Sequence, residues 1–347
     1  MIRQARQTQS EVSGKAAKVV PFAPVLNVAT SDRVDSAAKK VLVFHMDRLA
    51  SEIDGIKKDT DVECVHRGRV AVRRMRSALS LFGPMLGVKR AEVISRDLKW
   101  IGALLGRVRD IDVFLLKLPR YAKLKRFAGE EEMFLVKRLM AYRSFPLKAL
   151  SDALGSARYK RMERRLRALT DTIEPKRPSS SVAVKKISDA VPSMMEGMFE
   201  SVVEKGSEAF KKQRMKDFHK LRIEAKRLRY GLEAISPAYG RALDPFIKRL
   251  VEMQDCLGDM QDTVFTRGFI DDILDGKILK GLRPGTGFVL GEIYMLQREI
   301  ASDCRRDFSG IWRRFASKRT LRDLKKGLRV KPVTSGATQR TTGEETA

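Results

Sequence analysis

An all-α fold is predicted by three features of this 347-residue sequence. Apolar residues recur at spacings of three and four from about Asp32 nearly to Arg329. Runs of alternating β-branched residues are rare, and the breaks between periodic stretches carry Gly, Pro and Ser. Strand content is therefore expected near zero. Val41, Leu42, His45, Met46 and Leu49 open a first amphipathic helix. Helices over 64–82 and 90–118 follow, with breaks at Gly83-Pro84 and Leu118-Pro119, and two more lie near 130–153 and 157–173. Glu174-Pro175-Lys176-Arg177-Pro178 and Ser179 to Ser181 form the best linker in the chain. A second helical series is expected over 183–212, 216–236, 241–274, 286–309 and 311–329.

The linker divides the chain into a first helical half, 32–175, and a second, 176–330, with disordered tails expected at 1–31 and 331–347. The N-terminal tail is Arg-bearing and poor in acids, like a transit peptide. Its Pro21 and Pro24 and the lack of a helical apolar face favour a plain disordered tail instead. No run of 18 apolar residues exists, so no membrane span is predicted. Cys64, Cys256 and Cys304 are odd in number and far apart. They give neither a disulfide framework nor a zinc spacing, and they fit a reducing, cytoplasmic compartment.

Charge is the dominant compositional fact. The formal net charge is +27, and +24 of it lies in residues 32–330, split +13 and +11 between the two halves. The surplus belongs to folded segments and points to a polyanionic partner.

The chain also repeats itself. Val65-His66-Arg67-Gly68-Arg69-Val70-Ala71-Val72-Arg73-Arg74-Met75-Arg76 is answered 153 positions later by Phe218-His219-Lys220-Leu221-Arg222-Ile223-Glu224-Ala225-Lys226-Arg227-Leu228-Arg229. Leu105-Gly106-Arg107-Val108-Arg109-Asp110 is answered at an offset of 152 by Leu257-Gly258-Asp259-Met260-Gln261-Asp262. On a helix that turns about 100° per residue, His66, Arg69, Arg73 and Arg76 share one stripe about 80° wide and about 15 Å long. His219, Arg222, Lys226 and Arg229 form the same stripe in the second copy, and Arg74 and Arg227 flank the two stripes. Val65, Val72, Met75, Leu79 and Phe82 form the apolar face of the first copy, and Phe218, Ala225, Leu228, Leu232 and Ile235 that of the second.

A row of like charges at these spacings destabilises an isolated helix. Two readings compete: a solvated charged face, or a face that meets a bound polyanion. Recurrence in register, each time with a His at its head in a chain of three His, favours the polyanion. His45, among apolar neighbours, is expected at the edge of the core. Two His without matching thiols or carboxylates make a poor metal site, so no metal or other cofactor is expected. Asp110 and Asp262 are expected to fix a nearby Arg, with surrounding cations holding their proton affinity low. No Ser-His-Asp order, Walker loop or Gly-rich dinucleotide turn is present, and no catalytic residue is assigned.

The two helices resemble the conserved histidine α-helical domain family, CHAD. Its pattern of a His, an Arg, a basic pair and a further Arg is met by His66, Arg69, Arg73, Arg74 and Arg76, and again by His219, Arg222, Lys226, Arg227 and Arg229. Leu104 to Val113 resembles the family's second motif and Leu257 to Asp262 its later counterpart. Tyr230 and Trp312-Arg313-Arg314-Phe315 fit as well, so the likeness covers roughly residues 35–325. It departs at Gly68, where the second copy has Leu221. The resemblance implies two four-helix-bundle-like halves related by a pseudo-twofold axis, with a basic cavity or groove between them. It implies binding of inorganic polyphosphate through those ten residues, and association with polyphosphate granules in bacteria. Some members carry a fused triphosphate-hydrolysing domain. Its Glu-x-Glu-x-Lys signature is missing, since Glu130-Glu131-Glu132-Met133-Phe134 lacks the Lys, so a stand-alone, non-enzymatic binding module is expected. Nucleic acid is the alternative partner. It is disfavoured because a single aromatic, Tyr230, adjoins the stripes where base stacking wants several.

Overall fold

The computed structural model describes residues 28–86, 88–125, 129–171 and 182–329. The expected linker, nearly all of the N-terminal tail and the expected C-terminal tail lie outside the described residues. Among the described residues ten α-helices form two series of five. The first series is α1 (Val34–Lys58), α2 (Val62–Leu86), α3 (Val88–Lys125), α4 (Glu130–Gly155) and α5 (Ala157–Asp171). The second is α6 (Ile187–Lys212), α7 (Met215–Tyr239), α8 (Asp244–Leu274), α9 (Pro284–Phe315) and α10 (Lys318–Leu328). A short 3-10 turn, Gly240–Leu243, joins α7 to α8. Among the described residues there is no strand, only an isolated bridge between Arg33 and Lys186. No described helix is long and apolar enough to cross a membrane. Among the described residues each series holds four long helices and a shorter fifth.

Several expected boundaries shift. Helix α2 runs through Gly83-Pro84 to Leu86, and α3 continues past Pro119 to Lys125. A helical proline forfeits one backbone bond. Around Pro119 the buried side chains of Leu118 and Tyr121 anchor both sides of the gap. The break expected near residue 310 instead falls after Phe315, because Phe308, Trp312 and Phe315 continue one buried face. The described structure also begins earlier than Asp32. Val28 and Thr30 are buried, and the backbone N–H of Ala29 donates to the Asp32 carboxylate at 2.9 Å.

All ten residues of the two predicted apolar faces are buried in a single core cluster. Gly68 is explained by close approach. Side chains of Ile56 and Leu49 from α1 and Leu105 from α3 would meet a Cβ there at 3.2, 3.5 and 3.6 Å, whereas Leu221 in the second copy is itself fully buried. Apolar burial there offsets the helix-propensity cost of about 1 kcal/mol.

The two series meet through matched contacts. Val34 N–H donates to the Lys185 carbonyl at 3.0 Å, and Ile187 N–H donates to the Asp32 carbonyl at 2.9 Å. Asp35 N–H donates to the Ala183 carbonyl at 3.2 Å, and Ser188 N–H donates to the Thr30 carbonyl at 3.1 Å. Each pair maps onto the other by the 153-residue offset of the repeated motif, so the exchange is reciprocal. Helix α2 packs on α7, and α4 on α9. The Phe114 and Phe269 rings meet at 5.0 Å, joining α3 to α8.

One packing prediction follows from α6 against α9. A Cβ on Gly206 would run into the Trp312 ring, which stacks on Phe308 at 6.1 Å and meets Phe315 at 6.2 Å. A ring held on both sides cannot swing clear. Gly206→Ala is expected to cost about 1–3 kcal/mol, the usual penalty of overpacking, read as a lowered denaturation midpoint. An unchanged midpoint would contradict this packing.

Candidate functional site

The stripes of α2 and α7 converge because the two helices pack on each other. Arg73 of α2 lies over the Tyr230 ring of α7, 5.4 Å from its centre. Each leading Arg crosses a glycine on the next helix of its own series. A Cβ at Gly106 would sit 4.0 Å from Cζ of Arg69, and one at Gly258 would sit 3.9 Å from an Arg222 amino nitrogen. These are the glycines of the second repeated motif, so the two motifs meet in space in both copies.

Four cations form the centre: Arg69, Arg73, Arg222 and Lys226. Lys226 is half-buried, and burial is the largest force on its amine. Arg222, Arg73 and Arg69 add to it, Asp262 opposes, and the amine is pushed down to about 7. Arg222 is also held below its ordinary value, first by burial and then by Arg73 and Arg69, against Asp262 and Tyr230. A partly desolvated lysine amine among three guanidiniums is an arrangement that an anion relieves.

Two carboxylates lie at the base of the cluster. Asp110 accepts a hydrogen bond from Arg69 at 3.1 Å, the role expected for it. The expectation that cations hold its proton affinity low is corrected. Burial lifts Asp110 above the ordinary carboxylate value, Arg69 opposes, and Asp262 adds to the rise. Asp262 accepts from Lys117 of α3 at 3.0 Å. Burial opposes the charge on Lys117, but Asp262 prevails and holds its amine above the ordinary value.

The two motif histidines differ. His66 is half-buried, and its imidazole is pushed down to about 4, first by burial and then by Arg109, with smaller pushes from Arg73 and Arg69 against Glu63. His219 is exposed, and its Nδ1 lies 2.8 Å from Oε1 of Gln261. Arg109 and Gln261 occupy the same position of the second motif, so each His faces one place in the repeat. In the first copy that place carries a charge, and the imidazole stays neutral. His45 is buried as expected and is pushed down to about 3 by burial, then by Arg74 and Arg48.

The remaining candidates are held by carboxylates or face outward. Arg74 pairs with Glu233 of α7 at 3.3 Å, beside a small cavity shared with His45 and Tyr230. Arg229 bonds the same Glu233 at 2.7 Å and Gln254 at 3.1 Å. One glutamate thus ties a motif Arg from each copy. Arg227 is exposed and pairs with Glu224 on its own helix at 2.8 Å. Arg76 is exposed toward the end of its stripe.

The CHAD domain family matches residues 40–271, two thirds of the chain. The chain belongs to the CHAD family. Among curated proteins it is similar to uncharacterized proteins from two strains of Mycobacterium tuberculosis, each 26% identical over 257 residues. Those alignments cover 73% of this chain and 48% of each relative, so the chain spans about half the length of the curated relatives it matches. Among solved structures, the CHAD domain from the plant Ricinus communis superposes with a TM-score of 0.70 at 22% identity, covering 85% of this chain and 97% of that one. PptA from Streptomyces chartreusis superposes at 0.58 with 16% identity, covering 82% of this chain and all of that one. At these identities the likeness is one of fold.

Two residues of this CHAD protein's site escaped the sequence reading. Arg109 lies in the repeated segment next to Asp110, and its register with Gln261 was the available signal. Lys117 carried none, because its partner Asp262 belongs to the other series.

Proposed function

We propose that this chain binds inorganic polyphosphate at the α2–α7 cluster, holds it without turning it over, and associates with polyphosphate granules. The observation that carries this reading is the convergence of Arg69, Arg73, Arg222 and Lys226, with the Lys226 amine pushed down to about 7. Polyphosphate bears charge on every phosphoryl unit and has no bases to recognise. Arg guanidiniums fork onto phosphate oxygens, and Lys adds a point charge. The nearest carboxylates, Asp110 and Asp262, are engaged by Arg69 and Lys117, which suits a binding surface rather than a hydrolytic one. Arg73 already covers a face of Tyr230, the aromatic beside the stripes, which disfavours nucleic acid by limiting base stacking.

Competition of labelled polyphosphate against RNA and duplex DNA at near-physiological salt tests the reading. Polyphosphate is expected to win, with log affinity falling steeply against log salt as counterions are released. Equal affinity for duplex DNA would overturn the reading in favour of a nucleic-acid binder.

A further inference from the structure

We propose that Lys117 is a positioning residue of the polyanion site: by holding the Asp262 carboxylate it leaves the Arg222 guanidinium free to take phosphate oxygens. The inference rests on the reading of the α2–α7 cluster as a polyphosphate site, and it gives the second copy of the motif the principal anchor. The two copies place their leading Arg alike. Arg69 lies over Gly106 of α3, and Arg222 lies over Gly258 of α8. Each glycine stands one helical turn before an aspartate, Asp110 in α3 and Asp262 in α8. In the first copy the Arg takes that carboxylate, Arg69 donating to Asp110 at 3.1 Å. In the second copy Asp262 accepts from Lys117 at 3.0 Å instead. Among the described residues Arg222 makes no hydrogen bond or ion pair, and its Nε is buried without an acceptor.

The asymmetry has a cause in the sequence. At the 152-residue offset of the second motif, Phe269 answers Lys117. Phe269 meets Phe114 at 5.0 Å, where α3 and α8 touch. The first series thus puts an amine near that contact where the second puts a ring. The Lys117 side chain is 4% exposed, so a polyanion lying over the cluster does not reach it. Its effect passes through Asp262, the charged group that bears most strongly on Arg222. A guanidinium already bonded to a carboxylate must share or give up that bond before it forks onto phosphate. One without an acceptor gains the whole charge-assisted bond, and a phosphate oxygen relieves its unmet buried donor. Without Lys117, Arg222 stands to Asp262 as Arg69 stands to Asp110, and the second copy closes like the first.

The test is a double-mutant cycle read by calorimetry with a polyphosphate of defined length. Lys117→Met keeps a long apolar stem and removes the charge. It is expected to weaken binding by at least about fivefold, and Arg222→Gln by at least about tenfold. The two losses are expected not to add. In the Arg222→Gln protein, Lys117→Met is expected to change affinity by less than about twofold, because it acts through Arg222. A general loss of positive field would add in full. Lys117→Met with Asp262→Asn leaves neither charge of the pair behind, and it keeps the test open if the single variant does not fold. This double variant is expected to bind within about twofold of the wild type, since Arg222 stays free. Additive losses in the cycle, or a double variant more than about fivefold weaker than the wild type, would overturn the proposal. A wild type that binds no polyphosphate would sink the polyphosphate reading and this inference with it. Binding with additive losses would sink the inference alone, so the two failures are distinguishable.

Discussion

Reversing the charge at either Arg73 or Lys226 is expected to weaken long-chain polyphosphate binding by at least about tenfold, since like charges brought together at an interface cost several kcal/mol. The two residues lie on different copies of the repeat, yet both belong to the four-cation cluster where Arg73 bears directly on Lys226. A glutamate at either place removes an attraction and adds a repulsion beside the other cations of the cluster, and at half-buried Lys226 salt screens less than on an open surface. The control carries the same charge change elsewhere. Helix α10 presents Lys318, Arg322, Lys325, Lys326 and Arg329 along one groove. Lys325 pairs with Glu196 at 3.2 Å, so its reversal would also break a structural contact. Lys326→Glu is the cleaner control and is expected to change affinity by less than about threefold, as befits a diffuse surface charge. Titration calorimetry measures the affinities, and circular dichroism is expected to show wild-type helicity throughout, because no buried apolar residue is touched. Equal losses for Lys326→Glu and the cluster variants would mean that diffuse charge holds the ligand.

Polyphosphate affinity is expected to fall as pH rises above about 7, and Lys226→Arg is expected to flatten that fall. In the free protein the Lys226 amine is pushed down from 10.5 to about 7. A bound polyanion favours the charged form and raises it again. Well below pH 7 the amine is charged with or without ligand, and binding takes up no proton there. Between about 7 and the bound value, binding must take up a proton, and affinity drops by up to about tenfold per pH unit. Arginine stays charged throughout this range. The stability of the free chain runs the other way. The folded amine lies below its unfolded value, so this group's contribution is fully present above about 10.5 and is lost as pH falls through about 7. Binding constants at pH 6.5, 7.5 and 8.5 for both proteins check the claim. A slope that survives Lys226→Arg would assign the proton to another group.

Local patterning carried most of the fold. The apolar faces of α2 and α7 follow from helical periodicity, and all ten of their predicted residues are buried. Helix ends were less visible. Gly83-Pro84 and Leu118-Pro119 look like breaks, but both helices run through, and around Pro119 the buried Leu118 and Tyr121 hold the two sides together. The stripes were visible too, since residue spacing alone places His66, Arg69, Arg73 and Arg76 together. What spacing cannot give is the angle at which α2 meets α7. That angle turns Arg74 toward Glu233, sets Arg73 on Tyr230 and crowds Lys226. The two histidines that look equivalent differ for another reason, legible in the repeat itself: Arg109 stands by His66 where Gln261 stands by His219.

The central claim is that two copies of one motif make a single site. The stoichiometry of binding tests it most directly, using a polyphosphate of defined length titrated into the wild type and into Arg73→Glu. One chain bound per protein, with Arg73→Glu weakening that single event, is the predicted result. Two chains bound per protein, with Arg73→Glu abolishing one and leaving the other at wild-type affinity, would contradict it.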